Sequence, residues 1–494
     1  MRKMGAVMAS MAVAGGLLLL GFYAGITDAV REAKAQTLPS RPNMVFILVD
    51  DMRRDDLKYM PKTMALLKDE GMTFQNAFVS NALCAPSRAT IMRGQYSHNN
   101  GVWSNSFDSG GWQAYQQNGN EEDNVATRLQ GAGYRTGLFG KYLNGYTRTT
   151  YIPHQQGRSA EWDRWFAPFV GGGYPYFDYG VNDQGTIRHF GTQDSDYITD
   201  VLSRKTDAFL KNSAAQNRPF FAYVAPTAPH GPATPAPRDV HAFDGATAPR
   251  LPSFNEKEVS DKPSWISTQP RLTSSQISDI NTRHEDRIES LQAVDDLVEG
   301  VVDTLGSSSP QNGVVPLDNT YIFFTSDNGW HHGEHRIPGE KWRPYEEDVH
   351  MPLLVRGPGV AAGSTTYKMA LNTDYLPTFT DLAGAQSPPY VDGRSLEPVI
   401  HGGVTSRRSA ILLEAAAHFS PAYEGVRTAG KDRSKYVAYA EGTRELYDLG
   451  SDPYELANAY VPGGPPPDLA DRLPELKDCS AATTLTCQAA EDGP

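Results

Sequence analysis

The sequence predicts an α/β sandwich: a large, mixed but mostly parallel sheet between layers of helices, followed by a smaller antiparallel sheet. Three observations carry that expectation. Four apolar runs, at 44–49, 135–139, 220–224 and 321–325, are continuous rather than alternating, as in strands covered on both faces. Helical patterns separate them at 59–68, 124–130 and 285–305. In the last, Ile288, Leu291, Val294, Val298, Val301 and Leu305 keep a three-to-four spacing, and Gly306 is a stop signal. Beyond about residue 400, the segments 410–413, 425–427, 436–440 and 445–448 read as short strands between turns. They predict a small antiparallel sheet with a helix, closing against the larger domain.

Composition narrows the class. A chain of 494 residues buries a full core without a disulfide scaffold. Its 45 Lys+Arg against 58 Asp+Glu give a net charge of −13, which argues against sequence-independent nucleic-acid binding. At the N-terminus, Arg2 and Lys3 precede an uncharged apolar stretch at 4–26, and Ala33-Lys34-Ala35 offers a small-x-small cleavage site. Residues 1–35 therefore read as a secretory signal peptide, with an uncleaved membrane anchor as the rival. No Asn-x-Ser/Thr acceptor occurs, which tilts the source of this exported protein towards a bacterium. The domain plan is a catalytic α/β domain over 36–400, an antiparallel subdomain over 401–462, and a Pro-rich, extended tail over 463–494.

The residues just after each predicted strand point to chemistry. Asp50-Asp51 comes after the first, Gly140-Lys141 after the second, Pro229-His230 after the third and Asp327-Asn328-Gly329 after the fourth. Open α/β sheets place their sites outside the carboxyl ends of their strands, so these four motifs converge in one crevice. Asp50, Asp51, Asp327 and Asn328 offer hard oxygen ligands only, which suits Ca²⁺, or Mg²⁺, rather than zinc or copper. A divalent cation also relieves the repulsion among three close carboxylates. Each motif alone would serve equally well as a helix cap or a turn. The run His331-His332-Gly333-Glu334-His335 matches an H-x-x-E-H zinc pattern, but it comes after an Asn-Gly turn and contains Gly333. These histidines are expected at the surface or behind the metal ligands.

Cys84-Ala85-Pro86-Ser87-Arg88 reads as a helix start, with Pro86 in the first turn and Gly94 past the last. Free N–H groups at such a terminus suit an anionic substrate. Arg88 lies too close to Cys84 for a cysteine-phosphatase loop. Cys-x-Pro-Ser-Arg resembles the signature of the type I sulfatases, whose cysteine is oxidised to formylglycine by a dedicated modifying enzyme. The resemblance runs from Asn43 to about Asn458 and includes Asp50-Asp51, Gly140-Lys141, Ala-Pro-His230, Ser326-Asp327-Asn328-Gly329 and Lys341 in order. Glu445-Leu446-Tyr447-Asp448-Leu449, with Asp452-Pro453 and Glu455, is similar to the family's C-terminal signature. The stretches 140–144 and 325–359 look most like N-acetylglucosamine-6-sulfatases.

The resemblance implies an alkaline-phosphatase-like fold and a sulfuric ester hydrolase acting on sulfated sugars. It implies that position 84 joins Asp50, Asp51, Asp327 and Asn328 at the cation, and that Arg88 holds the formylglycine hydroxyl. Lys141 and Lys341 are then the candidates for gripping the sulfate oxygens, and His230 for protonating the leaving oxygen. Two departures stand out. Leu143 occupies the position where many arylsulfatases carry a His, leaving Asn144 or a nearby His to serve, and Arg93 precedes Gly94 where Thr is commoner. Alternatives are phosphodiesterases and phosphonate monoester hydrolases of the same superfamily, or an inactive calcium-dependent glycan binder.

The aromatic-rich region 146–197, including Trp162, Trp165, Tyr174 and Tyr176, and the Pro-rich stretch 232–270 are expected to shape the pocket mouth. For each aromatic residue, core packing is the equal alternative. The chain has three cysteines. Cys479 and Cys487 are close enough in sequence for a local disulfide near an exported C-terminus, which leaves Cys84 unpaired.

Overall fold

The computed structural model describes residues 41–493 apart from 107–108, 148–161, 170–173, 404–407, 419, 431–432, 464–467 and 482–485. The predicted signal peptide, 1–35, lies outside the described residues. Strands β1 (Asn43–Val49), β2 (Met72–Phe78), β3 (Arg135–Gly140), β4 (Arg164–Pro168), β5 (Tyr179–Asp183), β6 (Thr186–Phe190), β7 (Phe220–Ala225), β8 (Thr320–Ser326), β9 (His350–Met351), β10 (Leu353–Arg356) and β11 (Ser364–Leu371) form one sheet. Its order is β11-β2-β10-β8-β1-β7-β3-β4-β5-β6, with β9 beside β2. The four strands read from the sequence are adjacent at its centre, β8-β1-β7-β3, and all pair in parallel. Antiparallel pairings lie towards the edges.

The principal helices are α1 (Cys84–Arg93), α2 (Val125–Gly131), α3 (Ile198–Ala215), α4 (Ser274–Ser307), α5 (Tyr375–Leu382), α6 (Asp468–Lys477) and α7 (Cys487–Asp492). Every residue of β1 is fully buried, and its side chains alternate between two cores. Met44, Phe46 and Leu48 pack with Ala85 and Ala89 of α1, Leu129 of α2 and Phe379 of α5. Val45, Ile47 and Val49 pack with Phe209 of α3 and with Leu291, Val294 and Val298 of α4. Both faces are covered, which is why the strand reads as an unbroken apolar run.

Two helices differ from expectation. The periodic segment 285–305 is the buried part of α4, which begins at Ser274, where Thr273 and Gln276 form a capping box. Its first turns are polar and largely exposed, so apolar spacing could not report them. The helix expected at 59–68 is broken: a 3₁₀ turn at Arg54–Tyr59 gives way at Pro61 to a short α turn and a π turn over Met64–Lys68.

Strands β12 (Ala410–Ala415), β13 (Tyr423–Thr428), β14 (Ser434–Tyr439) and β15 (Arg444–Asp448) form the antiparallel C-terminal sheet. Its core continues into the large domain through Phe78, Leu83, Tyr96 and Trp342. The tail beyond Gly463 is not extended as expected. It forms α6 and α7, because Leu473 and Leu476 give α6 an apolar face that packs into that core. Cys479 and Cys487 are joined by a disulfide. The stretch 232–270 is tied to the body of the protein: Phe243 and Gly245 N–H groups donate to Glu289 and Glu285 of α4, and Asn255 N–H donates to the Gly333 carbonyl.

His98 ties the C-terminal knot to the large domain, its Nδ1 lying 2.9 Å from Glu414 and its Nε2 3.0 Å from the Cys479 carbonyl. Burial alone would lower its pKa, but these two acceptors outweigh burial and raise it from 6.5 to about 9. Because the folded value exceeds the unfolded one, the stabilisation is complete below the unfolded pKa and is lost as pH rises through the folded one. The melting-temperature gap between the unaltered chain and His98→Gln should therefore be largest near about pH 6 and close by about pH 10. A pH-independent gap in thermal melts would contradict this.

Candidate active site

The four strand-end motifs meet. β1 pairs in register with β8, Val49 opposite Ser326, so Asp50-Asp51 and Asp327-Asn328 leave the sheet side by side. Asp51 adopts φ 70°, turning its side chain back into the site, where its N–H donates to Asp327 Oδ1 at 3.1 Å. Asn328 Nδ2 donates to Asp51 Oδ1 at 2.7 Å, while its Oδ1 is buried without a partner. On the other side β3 ends beside β7, and a Cβ at Gly140 would lie 2.0 Å from the Ala225 carbonyl, so only glycine fits there. That close approach delivers Lys141. A Cβ at Gly329 would meet the Glu347 carbonyl at 1.9 Å, so glycine is equally required after Asn328.

Cys84 is the first residue of α1, with Leu83 at the N-cap in extended conformation and Gly94 closing the helix at φ 66°. Its Sγ lies 3.5 Å from Asp50 Oδ1, 3.9 Å from Asp51 Oδ1 and 3.2 Å from Lys341 Nζ. One turn later Arg88 donates from Nε to Asp327 at 2.8 Å and from Nη1 to the Lys141 carbonyl at 2.9 Å, and its Nη2 stands 3.8 Å from Asp50. Lys141 Nζ donates to Asp50 Oδ2 at 2.6 Å, and Lys341 Nζ to Asp51 Oδ2 at 2.6 Å. His230 sits at the half-buried mouth, Nε2 3.7 Å from Asp51 and Nδ1 2.7 Å from the Gly231 carbonyl. All nine residues singled out in the sequence thus share one pocket.

Electrostatics follow from that packing. Burial raises the Asp50 and Asp51 carboxyls, but the surrounding cations, led by Lys141 for Asp50 and Lys341 for Asp51, outweigh it and hold both below the usual range. Asp327 goes the other way, to about 6, through burial and the nearby Asp50 charge. Burial pushes the Cys84 thiol up to about 12 and lowers His230 to about 4.

Sequence reading missed several partners. Tyr174, read only as an aromatic of the pocket mouth, lies under Lys141 Nζ at 4.3 Å and against the His230 ring at 4.2 Å, and accepts from Asn144 Nδ2 at 2.7 Å. Trp330 flanks Lys341 at 5.6 Å. Arg287 of α4 donates to the Asp51 and Pro229 carbonyls, a role signalled only by a cation on the helix's buried face. Of the other predicted mouth aromatics, Trp162 and Trp165 are core residues, whereas Tyr176 donates to the His230 carbonyl at 2.7 Å. Leu143 is buried in the core.

The histidines of 331–335 are not at the surface. His331, His332 and His335 are fully buried, because the loop at 248–272 and Tyr345 cover them. His331 faces Asp348 and His335 faces Glu256, and among the described residues they join no cluster of metal-type ligands.

A buried acidic pocket ringed by cations, at the carboxyl ends of a mixed sheet between helical layers, defines an alkaline-phosphatase-like hydrolase architecture. A family model described as Sulfatase matches residues 42–385, and one described as N-sulphoglucosamine sulphohydrolase, C-terminal, matches 333–465. The N-acetylglucosamine-6-sulfatase of Capra hircus is 32% identical over 505 residues, covering 92% of this chain and 86% of that protein. An extracellular sulfatase of Drosophila melanogaster is 36% identical over 375 residues, 73% of this chain, which spans only 31% of that longer protein. A solved structure in complex with its substrate D-glucosamine-2-N,6-O-disulfate superposes with a TM-score of 0.67 at 25% identity, over 85% of this chain and 93% of that one. The chain belongs to the sulfatase family, the sulfuric ester hydrolases.

Arg88→Ala should remove the nearest countercharge of buried Asp327 and a more distant one of Asp50, and destabilise the fold by about 3–5 kcal/mol in chelator. Urea unfolding measures this. A loss below about 1 kcal/mol would mean that the lysines alone neutralise the pocket.

Proposed function

We propose that this chain hydrolyses sulfate esters of glucosamine-type sugars, N-acetylglucosamine 6-sulfate foremost, at a nucleophile made from Cys84 beside a divalent cation. The observation that carries this reading is the setting of Cys84: it opens α1 and lies against Asp50, Asp51 and Lys341 in one buried pocket. The named relatives and the glucosamine disulfate complex support the sugar.

The residues fit a cation. Ligand atoms of Asp50, Asp51, Cys84 and His230 lie within 4.8 Å of one another, and the partnerless Asn328 Oδ1 is a ready carbonyl ligand. Asp50, Asp51, Asp327 and Asn328 would hold it, and an all-oxygen set rich in carboxylates favours Ca²⁺ over Mg²⁺, which retains more water. Such a cation lowers the pKa of a neighbouring hydroxyl and offsets the carboxylate charge. Oxidation of Cys84 by a formylglycine-generating enzyme would supply an aldehyde hydrate in place of the thiol, with one hydroxyl to attack sulfur and a second to expel sulfate.

The remaining work falls to this chain's own side chains. Arg88, whose buried Nη2 makes no hydrogen bond, holds the oxygen at position 84. Lys141 and Lys341, which donate to Asp50 and Asp51 at the floor of the pocket, are the cations placed to take the sulfate oxygens. His230 donates from Nδ1 to the Gly231 carbonyl, leaving Nε2 to face the site. An anionic ester beside it favours its protonated form, from which Nε2 protonates the leaving oxygen. Asn144 Oδ1, buried without a partner, stands near this machinery in place of the absent histidine. Export is supported by the extracellular relative and by the disulfide, which suits an oxidising compartment. Among the described residues no helix is long and apolar enough to cross a membrane.

Cys84→Ala should fold and lose turnover on N-acetylglucosamine 6-sulfate, and mass spectrometry of the peptide bearing residue 84 should show the aldehyde. Near-normal rates from Cys84→Ala, or an unmodified thiol in active protein, would refute the assignment. Chelation should abolish turnover and Ca²⁺ restore it. A faster rate on a phosphate diester than on a sulfate ester with the same leaving group would reassign the substrate.

A further inference from the structure

A second cleft, of about 450 Å³, lies between strands β2 and β10 and the C-terminal sheet. No residue of the acidic pocket lines it. Its size is that of a small-ligand site, and Leu57, Met64, Leu354 and Leu449 give it an apolar wall. The acids that line it are already matched. Asp55 pairs with Arg53 at 2.8 Å, and Glu346 pairs with Arg427 at 3.2 Å and Lys435 at 3.0 Å. Burial, with Glu334 and Glu455 nearby, raises the Glu347 carboxyl well above the usual range. Burial lowers the pKa of His350, against the opposing pull of Glu346, which lies 3.2 Å from its Nδ1.

Three cations remain: Arg54, Lys68 and Arg433. Among the described residues none of them has a carboxylate within 4.0 Å. Arg54 donates to the Gln75 side-chain carbonyl, and Arg433 donates from Nε to the Leu449 carbonyl at 3.0 Å. Burial in the cleft lowers the pKa of Arg54; Glu346 and Asp55, both beyond ion-pair distance, partly offset this, and Arg433 on the same lining adds to the lowering. Cations that line one cleft beside an apolar wall, with no carboxylate at ion-pair distance, favour a bound anion, and guanidinium forks match sulfate and carboxylate oxygens.

We propose that this cleft binds a sulfate or carboxylate group on a sugar unit of a longer acidic saccharide, with Arg54, Arg433 and Lys68 as its countercharges. The proposal rests on the sulfated-sugar reading above and adds a site at which a second unit is gripped. The overall charge of −13 does not oppose it, since the cleft's local field is positive and solvent screens distant charges.

Calorimetric titration of the full chain with a heparin-derived tetrasaccharide tests this, alongside its desulfated counterpart, which keeps the carboxylates. Arg54→Gln/Arg433→Gln should weaken tetrasaccharide binding by at least about tenfold, as expected for two lost charge-assisted hydrogen bonds. Lys68→Gln should give a smaller loss in the same direction. Hydrolysis of p-nitrophenyl sulfate by these variants should stay within about twofold of the unaltered chain, because among the described residues Arg54, Arg433 and Lys68 make no hydrogen bond or ion pair with a residue of the catalytic pocket. If the desulfated probe loses affinity equally, carboxylate is the recognised group; if only the sulfated probe does, it is sulfate. Unchanged affinity in the double variant, or no tetrasaccharide binding by the unaltered chain, overturns the proposal. Failure to hydrolyse p-nitrophenyl sulfate would instead count against the sulfatase reading and leave the binding result standing.

Discussion

Three carboxylates buried at one point are the constraint on which this molecule depends. Asp50, Asp51 and Asp327 are wholly removed from solvent, where unpaired charges would be prohibitive. Arg88, Lys141 and Lys341 answer them from three different parts of the chain: the first helix, the end of β3 and the segment after β8. Register therefore matters more than any single contact. A slip of one residue between β1 and β8 would part Asp50-Asp51 from Asp327-Asn328 and turn every β1 side chain to the wrong core.

The layers around the sheet serve the same pocket. One face seats α1, so that Cys84 and Arg88 enter from one side, and the other seats α4, whose Arg287 holds the backbone at Asp51 and Pro229. The C-terminal sheet anchors the segment carrying Lys341. Tyr345, Tyr439 and Tyr447 all donate to the buried Glu445, and Lys435 donates to the Pro344 carbonyl. The family-like run at 445–449 thus has a physical role, since its glutamate is the acceptor that fastens the C-terminal sheet to the segment after the active-site lysine.

The molecule handles charge in two contrasting ways. In the catalytic pocket cations and carboxylates are interleaved at hydrogen-bond distance, a balance that a divalent cation or an anionic ester can redistribute. In the second cleft Asp55 and Glu346 are held in ion pairs with other residues, and among the described residues Arg54, Arg433 and Lys68 have no carboxylate at ion-pair distance. Balance in one place and excess in the other arise from the same residue types, and neighbours decide which applies.

Much of this was legible in the chain alone. Unbroken apolar runs identified the four central strands because strands covered on both faces carry no alternation, and polar motifs at their ends marked the pocket because parallel strands present their carboxyl ends together. Pro86 and Gly94 bounded α1 for reasons local to a helix. The histidines at 331–335, the helical tail and the roles of Tyr174, Arg287 and Trp330 were not legible. Burial of 331–335 depends on a loop some 80 residues earlier in the chain, and the tail folds because a distant sheet offers it an apolar surface. Tyr174 and Trp330 reach the two lysines only through the path of the folded chain. Local chemistry sets what each segment can do, and long-range packing decides which groups lose water, where charge is felt at full strength.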